Sequence, residues 1–128
     1  MRKKSTIWIV VVFLVLTIAF MGRMRYQKMA ENIEKAYQEI TIPDLSEKPD
    51  GVYSGSFSDF ILRVDVKVTL KDQQIIEVET ERLRAGWGYE ARETPQIIIK
   101  AQSPLVDAVS GATGTSKCFM IAVHKALR

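Results

Sequence analysis

The chain has 128 residues and a formal net charge of +3, and six of its 18 basic residues lie before residue 29, where there is no acid at all. The remainder of the chain is slightly acidic, with 12 basic against 15 acidic residues, and lacks a basic stripe with interleaved aromatics, which argues against a nucleic-acid partner. A single cysteine, Cys118, excludes an internal disulfide, a thiolate zinc cluster and a CxxC redox pair, so redox chemistry would have to come from a bound cofactor.

Thr6 to Gly22 is an uninterrupted apolar stretch of 17 residues. As a helix it rises about 25 Å, a little short of a hydrocarbon core about 30 Å thick. Trp8 suits one interface, and Arg2, Lys3, Lys4, Arg23 and Arg25 can reach the headgroups. A cleaved signal peptide is the rival reading, with Thr17-Ile18-Ala19 as its cleavage site. Phe20, Met21 and further basic residues come directly after it, so an uncleaved signal anchor is expected. No cysteine near the N-terminus offers a lipoprotein anchor. Basic residues on both sides leave the orientation open, although a leader this short usually stays in the cytoplasm and sends the C-terminal domain out.

Tyr26, Met29, Ile33, Ala36 and Ile40 recur at alternating spacings of three and four, the pattern of an amphipathic helix. It serves either as a dimerising stalk or as a helix lying against its own domain. Thr41 to Asp50, with Pro43 and Pro49, is a linker. The chain thus divides into a membrane anchor with basic flanks (1–28), a helical stalk and linker (29–49) and a soluble domain (50–128).

In the domain, Val52 to Phe57 forms a short strand, and Arg63 to Leu70 alternates polar with apolar residues. After the polar turn Lys71-Asp72-Gln73-Gln74, Ile75 to Leu83 resumes the alternation, which predicts an antiparallel hairpin. Gly86-Trp87-Gly88-Tyr89 is a loop whose aromatics either stack on a planar ring or plug the core. Thr94-Pro95 reads as an N-cap and first-turn pair for a short helix over Gln96 to Ser103, ended by Pro104. The tail from Thr115 to Arg128 is helical, with Thr115 or Ser116 as its cap. The expected class is α+β: a membrane helix and stalk, then a small antiparallel sheet with two helices. His124 lies off the apolar stripe and reads as a solvated surface residue.

The loop Val106 to Lys117, rich in small and hydroxyl residues, leads into a helix N-terminus. It is either a well-capped loop or a phosphate site, since backbone amides and the helix dipole attract anions. A P-loop is ruled out because Ser116, not glycine, stands directly before Lys117 and Cys118 follows it, and GxGxxG because only Gly111 and Gly114 are present.

Asp107-Ala108-Val109-Ser110-Gly111-Ala112-Thr113 resembles the flavinylation motif of the FMN-binding domain family. That family includes the C subunit of the sodium-pumping NADH:quinone reductase and the G subunit of the Rnf complex. Asp50 to Gly55 is similar to the family's opening strand, and Thr115-Ser116-Lys117 with Ala122 to Leu127 to its closing helix. The chain lacks the long insertions of larger members, and within Gly86 to Gln96 only Glu93-Thr94-Pro95 resembles their loop. The resemblance implies FMN joined through its phosphate to Thr113 by a flavin transferase that uses FAD and a divalent metal. Asp107, Ser110, Gly111 and Ala112 would be the recognition sequence, and Thr115 and Ser116 would contact the phosphate or cap the helix.

The expected function is therefore that of an extracytoplasmic electron carrier, alone or as a subunit of an oxidoreductase, exchanging electrons with redox proteins or quinones. A non-covalent FMN-binding sensory or regulatory module and a cofactor-free ectodomain are the alternatives. No residue is assigned a catalytic or metal-binding role, because no Ser/His/Asp set or carboxylate pair assembles around a single histidine.

Overall fold

The computed structural model describes residues 2–128. Its first element, α1 (Arg2–Gln38), runs without a break from the apolar stretch into the amphipathic segment. No glycine or proline kink separates them, since Gly22 lies within the continuous helix. The apolar part is exposed to its surroundings, with Trp8 at 69% and Phe13 at 73%. It is long and apolar enough to cross a membrane. Farther along, Met29 and Ile33 are buried in the core, so the amphipathic face lies against the chain's own domain and is not left open for a coiled coil.

Three strands come next, β1 (Gly51–Asp59), β2 (Leu62–Lys71) and β3 (Gln74–Arg84), in an antiparallel sheet of order β1-β2-β3. The alternation in β2 is realised residue by residue: Leu62, Val64, Val66, Val68 and Leu70 are buried, and the residues between them are half-buried. Asp72 and Gln73, both at positive φ (52° and 64°), form the two-residue turn whose twist matches a hairpin. β3 departs from the expected alternation. Register shifts opposite Thr69/Leu70 and Asp65/Val66 insert extra residues at Ile76 and Glu81. These bulges keep Ile75, Val78 and Leu83 on the inner face and turn Ile76 out, 50% exposed.

The remaining elements are α2 (Thr94–Ala101) and α3 (Thr113–Leu127). Helix α3 packs on the inner face of the sheet, with α1 also packed against it. Cys118, Phe119, Met120, Ala122 and Val123 are therefore fully buried, more of the helix than one apolar stripe would account for. β1 crosses α3 at Gly55, where a β-carbon would stand 2.7 Å from the Ala126 nitrogen; only glycine permits that approach. Lys117 ties α3 to α1 through an ion pair with Glu34 and lies 4.5 Å over the Tyr37 ring.

Both helix starts differ from the sequence expectation. Thr94 is the first residue of α2, not its cap; Glu93 holds the cap position without a side-chain hydrogen bond. α2 also stops at Ala101, because Gln102 turns left-handed (φ 53°). The Gln102 side chain then accepts from Ile75 N–H (2.7 Å) and donates to the Ile75 carbonyl (2.8 Å), extending the edge of β3. His124 is half-buried, not fully solvated, and its Nε2 lies 3.4 Å from Thr41 N. Burial, and secondarily Arg128, lower its pKa against the opposing pull of Glu39.

Candidate functional site

Between α2 and α3 the chain makes a turn closed by a hydrogen bond from Ala112 N–H to the Val109 carbonyl (2.9 Å). Gly111 enters it at φ 79°, a conformation that glycine adopts at little cost. Ser116, fully buried, braces this turn from inside: its hydroxyl accepts from Val109 N–H (2.9 Å) and donates to the Ala112 carbonyl (2.8 Å). Ser116 is thus committed to the loop and gives the helix no side-chain cap. Thr115 is also buried, at 3% exposure. The helix begins two residues before the expected cap, and its cap position is held by Ala112, which has no hydrogen-bonding side chain.

That choice of residue decides the chemistry of the helix start. The first ladder bond is Ser116 N–H to the Ala112 carbonyl, so the amides of Thr113, Gly114 and Thr115 precede it. Among the described residues no side chain accepts from them, and the first turn contains no acidic residue. Uncapped amides at the positive end of a helix dipole favour an anion. The Thr113 side chain is exposed beside them.

These residues form one wall of a half-open groove of about 530 Å³, within the range of small-molecule sites. Gly111 to Thr115 line it on one side, Tyr26 and Met29 of α1 on another, with Ile61 of the β1–β2 turn, Leu62 at the start of β2, and Gly86 and Tyr89 from the loop after β3. The lining is mostly apolar, with two phenols. A smaller cleft next to it, about 280 Å³, is lined by Val109, Ser110 and Ala112 together with Gly88 and Glu90 to Glu93. Thr94, next in the chain, carries a buried hydroxyl with no hydrogen-bond partner among the described residues.

Of the residues singled out from sequence, Gly111, Ala112, Thr113 and Thr115 come together on the groove. Ser110 opens onto the neighbouring cleft, and Asp107 lies on a separate shallow surface with Tyr37, Ile97 and Val106. Trp87 is 95% exposed and so is no core plug, while Tyr89 is on the groove wall. Tyr26, Met29, Ile61 and Leu62 could not be anticipated as lining residues, because their meeting depends on the domain packing back against the C-terminal part of α1. Cys118 is no redox group: burial, with a smaller contribution from the Asp59 charge, pushes its thiol up to about 12, so no reactive thiolate forms at neutral pH.

An open-faced antiparallel sheet packed on one helix, with an uncapped N-terminus at the mouth of an apolar groove, makes this a small α+β domain whose groove pairs an anion-favouring end with apolar walls. Residues 61–128 match the FMN-binding domain family. The match covers more than half of the chain, which belongs to that family, and FMN is its cofactor. No curated protein matches the chain. The groove fits this cofactor in kind: amides and a hydroxyl where a phosphate would be held, and apolar and phenolic walls for a planar ring. The strand β1 lies outside the matched span but pairs with β2 along its whole length.

Proposed function

We propose that this protein is a membrane-anchored, extracytoplasmic flavoprotein that carries FMN covalently on Thr113 and relays electrons in a respiratory or extracellular electron-transfer chain. One observation supports this reading above the others. Thr113 presents an exposed hydroxyl in the first turn of an uncapped helix, on the wall of a groove. The neighbouring hydroxyls of Thr115 and Ser116 are buried, which leaves Thr113 as the accessible aliphatic hydroxyl on the groove, beside the phenols of Tyr26 and Tyr89. A phosphate esterified there would accept hydrogen bonds from the three helix-start amides.

The logic of a covalent link lies in size. A domain of roughly 80 residues encloses a ring system poorly, and the groove is half-open, so dissociation is the weak point that an ester removes. When bound, FMN supplies one- and two-electron transfer, and the chain supplies position and environment. Asp107 and Ser110 lie exposed and away from the groove, where a maturing flavin transferase could read them. Residues 1–28 would anchor the protein, 29–49 connect it and 50–128 carry the flavin, with redox proteins or quinones as exchange partners.

The test is the intact mass, after denaturation, of the full chain expressed with and without a flavin transferase, alongside Thr113→Ala. The expected result is a gain of one FMN less one water, present only with the transferase and lost in the variant. Yellow protein with unchanged mass would replace this reading with a non-covalent FMN module.

A further inference from the structure

Around the groove mouth the surface is apolar and basic in a way that the flavin site does not require. The β1–β2 turn carries Phe60 and Ile61, 39% and 42% exposed, and Trp87 in the next loop is 95% exposed. The Arg84 guanidinium donates to the carbonyls of Phe60 (3.0 Å) and Ile61 (3.3 Å), fixing the turn and leaving a cation beside it. Arg25 of α1 lies 5.5 Å from the Phe60 ring centroid.

The position of Arg25 sets the depth of this surface. It stands three residues beyond Gly22, the end of the apolar stretch, which is about 4–5 Å along a helix axis. A headgroup layer is roughly 5–8 Å thick on each side of the hydrocarbon core, so the Phe60 turn lies at headgroup level when α1 spans. The apolar stretch, at about 25 Å, is shorter than the core by about 5 Å, and that mismatch draws the end nearest the domain toward the lipid. Because α1 continues unbroken into the part that packs on α3, the domain cannot swing away independently.

From this geometry we infer that the groove-bearing end of the domain docks on the lipid bilayer, with Phe60, Ile61 and Trp87 in the interfacial layer and Arg25 and Arg84 facing lipid phosphates. Tryptophan favours that layer because its ring is apolar and its N–H is polar. Arginine cations there meet the anionic lipids of the surface. The groove then opens along the membrane surface, and a lipid-dissolved molecule reaches it without crossing water. Docking rests on the anchor proposed above, with α1 spanning the bilayer; the flavin plays no part in it.

The chain contains two tryptophans, Trp8 and Trp87, so each can be isolated in turn. The flavin-free full chain would be reconstituted in phosphatidylcholine/phosphatidylglycerol vesicles containing a lipid with a nitroxide on its headgroup. The variant Trp8→Phe reports on Trp87, and Trp87→Phe reports on Trp8 in the anchor. Docking predicts loss of about half of the Trp87 emission to the headgroup nitroxide, with weak quenching by aqueous acrylamide. Free access of acrylamide to Trp87 with no lipid quenching, while Trp8 is quenched by lipid, would overturn the docking and leave the anchor standing. Shielding of Trp87 from both quenchers would place protein on the patch instead and overturn it equally. Absence of lipid quenching at Trp8 would remove the anchor, and the docking with it.

Discussion

The two ends of α3 obey different rules. From Cys118 to Val123 the helix is sealed between the sheet and α1, and every side chain has found a packing partner. At its start, five residues earlier, the helix has an alanine for a cap, three amides without a side-chain acceptor and an exposed threonine. A protein optimised only for stability would place Ser, Asp or Asn at that cap, worth about 1 kcal/mol. The contrast marks the helix start as the place where folding leaves valence for a ligand, and it predicts that substitutions at the two ends separate stability from flavin loading.

The largest effect is expected at the sealed end. Phe119→Ala would cost about 4 kcal/mol through the cavity it leaves, read as a lower midpoint in chemical denaturation of the full chain in micelles. Next comes the edge of β3, where Gln102→Ala strands the N–H and carbonyl of Ile75, both otherwise met by one side chain. Its cost should be about 2 kcal/mol by the same measurement, with flavin loading retained. At the helix start the balance reverses: Thr113→Ala should change stability by less than about 0.5 kcal/mol while abolishing the flavin adduct on a denaturing gel viewed for fluorescence. A Thr113→Ala protein that unfolds as readily as Phe119→Ala would break the comparison.

The smallest effect concerns the other terminus of α3. His124 has its pKa lowered chiefly by burial, so the folded state favours the neutral ring, which also lets Nε2 accept from Thr41 N–H. Stability from this group is full above the ordinary histidine value near 6.5 and is lost as pH falls through the lower folded value. Denaturation midpoints should therefore fall on acidification below that point. His124→Gln should flatten that part of the profile.

How far the sequence was legible depends on which forces set each feature. The β2–β3 hairpin was readable because one buried face imposes a period of two, and the α1 stripe because Met29 and Ile33 repeat at helical spacing. The bulges at Ile76 and Glu81 were not, since they are set by pairing with β2 and leave no local composition signal. The start of α3 was misplaced because Thr113-Gly114-Thr115-Ser116 looks like a cap, whereas Ser116 is drawn inside to brace the loop. At the site, the motif from Asp107 to Thr113 was legible as a string, but not that its members would divide among three surfaces. The other walls of the groove, Tyr26, Met29, Ile61 and Leu62, come from elements far away in the chain and are brought there by tertiary packing alone.

Covalent attachment at Thr113 is the claim on which the functional reading turns, and Ser110, Thr115 and Ser116 compete with it in sequence but not in exposure on the groove. The direct measurement is tandem mass spectrometry of the peptide spanning Val106 to Lys117 from the flavinylated full chain. The fragment series should carry the FMN mass from Thr113 onward and on no other residue. An adduct on Ser110, Thr115 or Ser116, or none on this peptide, would contradict the account.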